Sequence, residues 1–234
     1  AYVAPTTANA RALGLSDASP GFDSTGAFVG GNGTADAIVF INLDQPFSYS
    51  RPIPDFTTGV YYDAQSTMEH ETDEVLGVGG SGSTLNDLLH NPNFGADATG
   101  VAGASVYGVE DLYRYSAPGV ASYVVNPNID FGQSAYFSID GGVTSVDTFN
   151  QEAMAYGDAA DWGLAQNCQG GGIGGAGNVQ DAFSCSNQSP DVTTSSPEYV
   201  AFQAIGYNDV PEPQPWIMLR GGCFGIGRLL GRQS

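Results

Sequence analysis

The sequence predicts an α+β fold. Three observations lead to it: capped helical segments near both ends of the chain, an apolar β-branched run at Asp36–Leu43, and strand-like stretches between Tyr113 and Ile139 followed by an Asp140-Gly141-Gly142 turn. The expected architecture is one helix, bearing the chemistry, packed on a small twisted sheet. A loop-rich C-terminal half follows, dense in Gly and Asp.

The elements follow in order. Residues 6–14 read as a short helix stopped by Gly14, and residues 16–34 as loop. Asp36–Leu43 reads as a buried strand, and the prolines at 46, 52 and 54 make the next stretch irregular. Asp63 can cap a helix running to Leu76, which Gly77 ends. Thr84–His90 reads as a second short helix, ended by Asn91-Pro92. Tyr113–Val125 and Ser134–Ile139 are strand-like, Ala159–Leu164 reads as helical, and Pro197–Ile205 as a final amphipathic helix. Two regions result: a folded body, residues 1–209, and a tail, residues 210–234.

Charge narrows the function. The 234 residues hold 25 acids, six basic residues (all Arg) and a net charge of −19. Such a field repels phosphate backbones and anionic membranes, so nucleic-acid binding is excluded and divalent cations, Ca²⁺ among them, are favoured. Cys168 and Cys185 bracket a glycine-rich loop, and a disulfide between them would restrain it by roughly 3 kcal/mol in the chain-entropy model. Together with the acidity this fits an exported, secreted or cell-surface protein. No signal peptide is visible at the start of the sequence, so it is expected to have been removed or to lie outside it. The tail carries Val210-Pro211-Glu212-Pro213, an apolar stretch from Trp216, and scattered Arg. It resembles the PEP-CTERM sorting tag of exported Gram-negative proteins, and Arg220 and Arg228 interrupt it too often for a stable membrane span.

The chemistry concentrates in Met68-Glu69-His70-Glu71-Thr72-Asp73-Glu74-Val75-Leu76-Gly77. On a helix, i and i+4 share a face, so His70 and Glu74 can chelate one metal ion. Glu71 is adjacent and can reach a water at that ion without being a ligand. This is the logic of the His-Glu-x-x-His zinc hydrolases, with Glu74 where the second His would stand. Glu is a legitimate Zn²⁺ ligand, but it weakens selection for Zn²⁺ over Ca²⁺ or Mn²⁺. His90, the other histidine, is the candidate third ligand; Asp87, Asp73 and Glu69 are weaker ones.

From about Ala8 to Asp209 the chain resembles exported zincin-type metalloproteases that often carry PEP-CTERM tags. The resemblance rests on Ala10-Arg11-Ala12-Leu13, the Asp36–Asn42 run, Phe47, Asp55 and Phe56. It continues with the helix His70–Gly80, then Arg114–Gly119, Tyr136–Gly142, Phe149-Asn150 and Gly157-Asp158. Asp161-Trp162, Gln180–Phe183 and Ala204–Tyr207 complete it. It implies a zincin-like fold with an amino-terminal strand ahead of this sequence. It also implies a Zn²⁺ peptidase with His70 and Glu74 on the metal, Glu71 as general base, and a protein or peptide substrate. Met154-Ala155-Tyr156 is similar to the methionine turn of one zincin branch, in which a His stands where this chain has Gly80.

Two other readings use the same residues. A glycoside hydrolase could draw an acid/base pair from Glu71, Glu74, Asp158 and Asp161, with the twelve Tyr and Trp162 as sugar platforms. A non-catalytic, Ca²⁺-stabilised matrix protein could retain a degraded site. Association with extracellular polysaccharide is expected of the protein under any of these readings.

Overall fold

The computed structural model describes residues 2–15, 21–31, 33–51, 53, 59–80, 83, 85, 106–123, 135–150, 158–163 and 177–208. Mixed helix and sheet is what these residues form. β1 (Tyr2–Val3) pairs in parallel with β4 (Val106–Tyr107), and β2 (Phe47–Ser48) in parallel with β3 (Tyr62–Asp63). A four-stranded antiparallel sheet runs in the order β6 (Val120–Ala121), β5 (Arg114–Ala117), β7 (Tyr136–Phe137), β8 (Asp147–Thr148).

Three of the expected helices form. In α1 (Thr7–Ala12) the Thr6 side chain accepts from the Asn9 N–H. In α2 (Ala64–Leu76) Asp63 caps the first turn by accepting from the N–H groups of Gln65 and Ser66, at 2.8 and 3.0 Å. Gly77 ends α2 at φ +104, with its own N–H on Asp73 and Glu74 carbonyls and the Val78 N–H on Asp73. Only glycine takes that left-handed position without strain. α3 (Pro197–Ala204) starts with Pro at its first position, where the missing N–H costs nothing.

Phe137, Phe149 and Trp162 form the centre of the core, closed by Val78, Ala135, Ala201 of α3 and Ile205 just after it. The Asn9 amide donates to the Ile205 carbonyl at 3.0 Å, and the Tyr207 hydroxyl to Leu76 at 3.0 Å. These bonds tie the ends of α1, α2 and α3 together. What α2 buries is polar, Ser66 and Asp73, so its placement rests on its caps and on hydrogen bonds more than on an apolar stripe.

Three expectations change. Asp36–Leu43 is no strand: among the described residues nothing ladders with 36–43, and Phe40 is 85% exposed. An apolar β-branched run needs a neighbouring strand to satisfy its backbone, and composition cannot supply one. Tyr113–Val125 divides into a 3-10 turn at Glu110–Tyr113 and the β5–β6 hairpin, because Pro118-Gly119 turns the chain back. Ala159–Gly163 is a turn, not a helix, with Trp162 bridging to Phe149 and Asp181. The Thr84–His90 helix lies outside the described residues apart from Leu85. The glycine loop at 169–176, Met154-Ala155-Tyr156 and the tail from 209 lie outside them as well.

Candidate metal centre

α2 presents His70 and Glu74 on one face, as the i, i+4 spacing requires, with Nε2 of His70 3.5 Å from a Glu74 carboxylate oxygen. The same Nε2 is 3.8 Å from Oδ2 of Asp161. The ligand atoms of the three residues lie within 4.8 Å of one another, and among the described residues theirs is the group of metal-ligating side chains brought that close. Nδ1 of His70 donates to the Val179 carbonyl at 3.0 Å. A carbonyl only accepts, so Nδ1 carries a hydrogen, which makes Nε2 the nitrogen that a cation would use.

The spacing suits a cation. Four ligands at about 2.0–2.1 Å from a tetrahedral zinc stand roughly 3.3–3.4 Å apart. The observed 3.5 and 3.8 Å close to that with a contraction of a few tenths of an ångström. One imidazole and two carboxylates form a donor set that Zn²⁺ accepts, with a net charge near zero once a divalent ion is bound.

Asp161 is held from every direction. Its Oδ1 accepts from the Gln180 amide at 2.9 Å and the Gly80 N–H at 3.2 Å. Its carbonyl accepts from the Asn150 N–H at 2.7 Å, and the Trp162 N–H donates to the Gln180 carbonyl at 2.9 Å. Below the turn, Arg114 donates to the Ala159 carbonyl at 2.9 Å and stacks 4.5 Å over the Phe149 ring. The Val179–Gln180 strap is fixed in turn by Glu198 of α3, fully buried, which accepts from the Gln180 N–H at 2.8 Å and the Trp162 indole at 3.1 Å.

Without a metal, the cluster is electrostatically loaded. Burial alone would push the His70 pKa down, but the Glu74 and Asp161 carboxylates outweigh it and raise it to about 9. Burial lifts Asp161 to about 7, against the pull of His70 and Gln180. Glu71, half-buried, is raised by burial and by the charges of Glu74 and Asp158. A general base benefits from such a shift, because it must take a proton and later release it.

Of the residues expected from sequence, His70, Glu71 and Glu74 thus meet on one helix. His90 and Asp87 lie outside the described residues. Glu69 instead accepts from Gln65 at 2.7 Å on the surface, and Asp73 is buried towards Glu198, which helps raise its pKa to about 8. Asp161 is the third ligand-type side chain that lies beside His70 and Glu74. Spacing gave no sign of that role; in the sequence Asp161 stood only among the carboxylates of the glycosidase reading and in the Asp161-Trp162 piece. Arg114 and Gln180 likewise appeared only as parts of longer motifs. Comparisons with protein-family models, curated proteins and solved structures find no match.

Proposed function

We propose that this chain is an exported metal-dependent hydrolase, most simply a zinc peptidase. His70, Glu74 and Asp161 would hold the cation and Glu71 would act as general base. The observation that carries the reading is the convergence of His70 Nε2, with Nδ1 tied to a carbonyl, on two carboxylates that are themselves held in place. A bound cation would supply Lewis-acid activation of water and of the scissile carbonyl. Glu71 takes the proton from the attacking water and delivers it to the leaving amine as the C–N bond breaks. Two-carboxylate glycoside cleavage draws on the same cluster, but it gives no role to an imidazole directed between two carboxylates.

Export, a protein or peptide substrate and the sorting role of residues 210–234 belong to the proposal. Their support is the acidic composition, the Val210–Pro213 start of the tail and a disulfide bond at Cys185. Cys168 and Cys223 lie outside the described residues. Among the described residues, no helix is long and apolar enough to cross a membrane.

The deciding experiment is casein cleavage by purified protein with and without EDTA. Activity should vanish with chelator and return with Zn²⁺. Glu71→Gln should keep the metal and lose turnover by about 10²-fold or more. EDTA-resistant cleavage of a polysaccharide would replace this reading with the glycosidase one. Ca²⁺ as the sole stoichiometric metal would replace it with a structural role.

A further inference from the structure

Gln180 is fully buried, and its position is not explained by packing. Its Nε2 donates to Oδ1 of Asp161 at 2.9 Å and stands 3.4 Å from Nε2 of His70. Its Oε1 has no hydrogen-bond partner among the described residues. An unsatisfied buried amide oxygen is destabilising, and a methionine or leucine of similar size would avoid that cost.

The two oxygens of Asp161 are divided by these contacts. Oδ1 is occupied twice, by Gln180 and by the Gly80 N–H at 3.2 Å, while Oδ2 is the oxygen that faces His70. A carboxylate tied this way offers a cation one oxygen. Zn²⁺ takes four ligands in total, so a one-oxygen donor suits it. Ca²⁺ gathers six to eight oxygens and draws on two-oxygen carboxylates to reach that number.

We propose that Gln180 sets which cation the centre accepts, by holding Asp161 to one-oxygen coordination and so favouring a four-coordinate transition metal over Ca²⁺. This rests on the metal-centre reading above. Gln180 is a positioning residue: it acts on the cation through Asp161. It offsets the weaker Zn²⁺ selection that Glu74 brings in place of a second histidine.

The test is a competition titration of Zn²⁺ against Ca²⁺ on the full chain, read with the visible absorption of the Co²⁺ form, for wild type, Gln180→Met and His70→Ala. In Gln180→Met the Zn²⁺-over-Ca²⁺ preference should fall about tenfold or more. The Co²⁺ band should weaken as the coordination number rises above four. An unchanged preference and unchanged band in Gln180→Met, with binding lost in His70→Ala, overturn the role of Gln180 and leave the metal centre standing. Wild-type Zn²⁺ binding in His70→Ala overturns both. Should Gln180→Met fail to fold, judged by near-ultraviolet circular dichroism, the wild-type protein decides in a zinc-loaded crystal. Oδ1 of Asp161 remaining on Gln180 and off the metal supports the inference, and both Asp161 oxygens on the metal overturn it.

Discussion

Gly79→Ala places a methyl group where the candidate site has no room. Gly79 has φ +80, and a Cβ there would stand 2.1 Å from Nε2 and 2.6 Å from Cδ of Gln180, and 2.8 Å from Oδ1 of Asp161. Gln180 is fully buried and held through its own N–H by Glu198, so it cannot swing into solvent to make way. The left-handed backbone costs about 1–2 kcal/mol for any residue with a Cβ. Overpacking adds about 1–3 kcal/mol. The sum, about 2–5 kcal/mol, should appear as a lower denaturation midpoint in urea at unchanged slope. Gly119→Ala is the matched control: φ is +73 and nothing lies within 4 Å of the added Cβ, so only the backbone cost should remain. The displaced Asp161 should also weaken Zn²⁺ binding in Gly79→Ala and not in Gly119→Ala. Equal destabilisation of the two variants with equal Zn²⁺ affinity would refute the close approach of the glycine strap to the carboxylate.

Other expectations concern the supports of the site. Asp63→Ala should cost about 1–2 kcal/mol through the lost cap of α2, while the Arg51 guanidinium, 2.8 Å from Oδ2, keeps Asp191 and the Pro190 carbonyl as partners; thermal denaturation measures it. Glu198→Leu should be worse, since it strands the buried donors of Trp162 and Gln180, whereas Glu198→Gln keeps an acceptor oxygen; comparing their urea midpoints tests the anchor. Burial raises Asp73 to about 8 and Asp181 to about 7, from 3.8. Between those limits the folded chain keeps protons that the unfolded chain has lost, so metal-free stability should fall as pH rises from about 4 to 8. The slope is on the order of 1.4 kcal/mol per pH unit for each group. His70, raised from 6.5 to about 9, stabilises below 6.5 and loses that contribution as pH rises through 9, in the same direction. Urea titrations of EDTA-treated protein at pH 5 and pH 8 check this; equal midpoints would contradict the burial of these acids.

What the sequence disclosed was local. The ends of α2 were legible because Asp63 and Gly77 act within a turn of their own positions. His70 and Glu74 were legible because helical periodicity alone brings them together. The Asp36–Leu43 run misled because its composition satisfies strand preference, while a ladder depends on a second segment that composition does not name. Asp161 was out of reach for a similar reason. Its approach to His70 depends on the Asn150, Arg114 and Gln180 contacts, none of which has a fixed spacing along the chain. The polar interior face of α2 also hides its placement from any search for an apolar stripe.

One cation held by three side chains from two distant segments should be visible in zinc-edge anomalous scattering from crystals of the zinc-loaded protein. A single strong peak about 2.0–2.2 Å from Nε2 of His70 and from one oxygen each of Glu74 and Asp161 is the predicted result. No peak at His70, or one bound by carboxylates elsewhere, would rule out a metal centre at this helix.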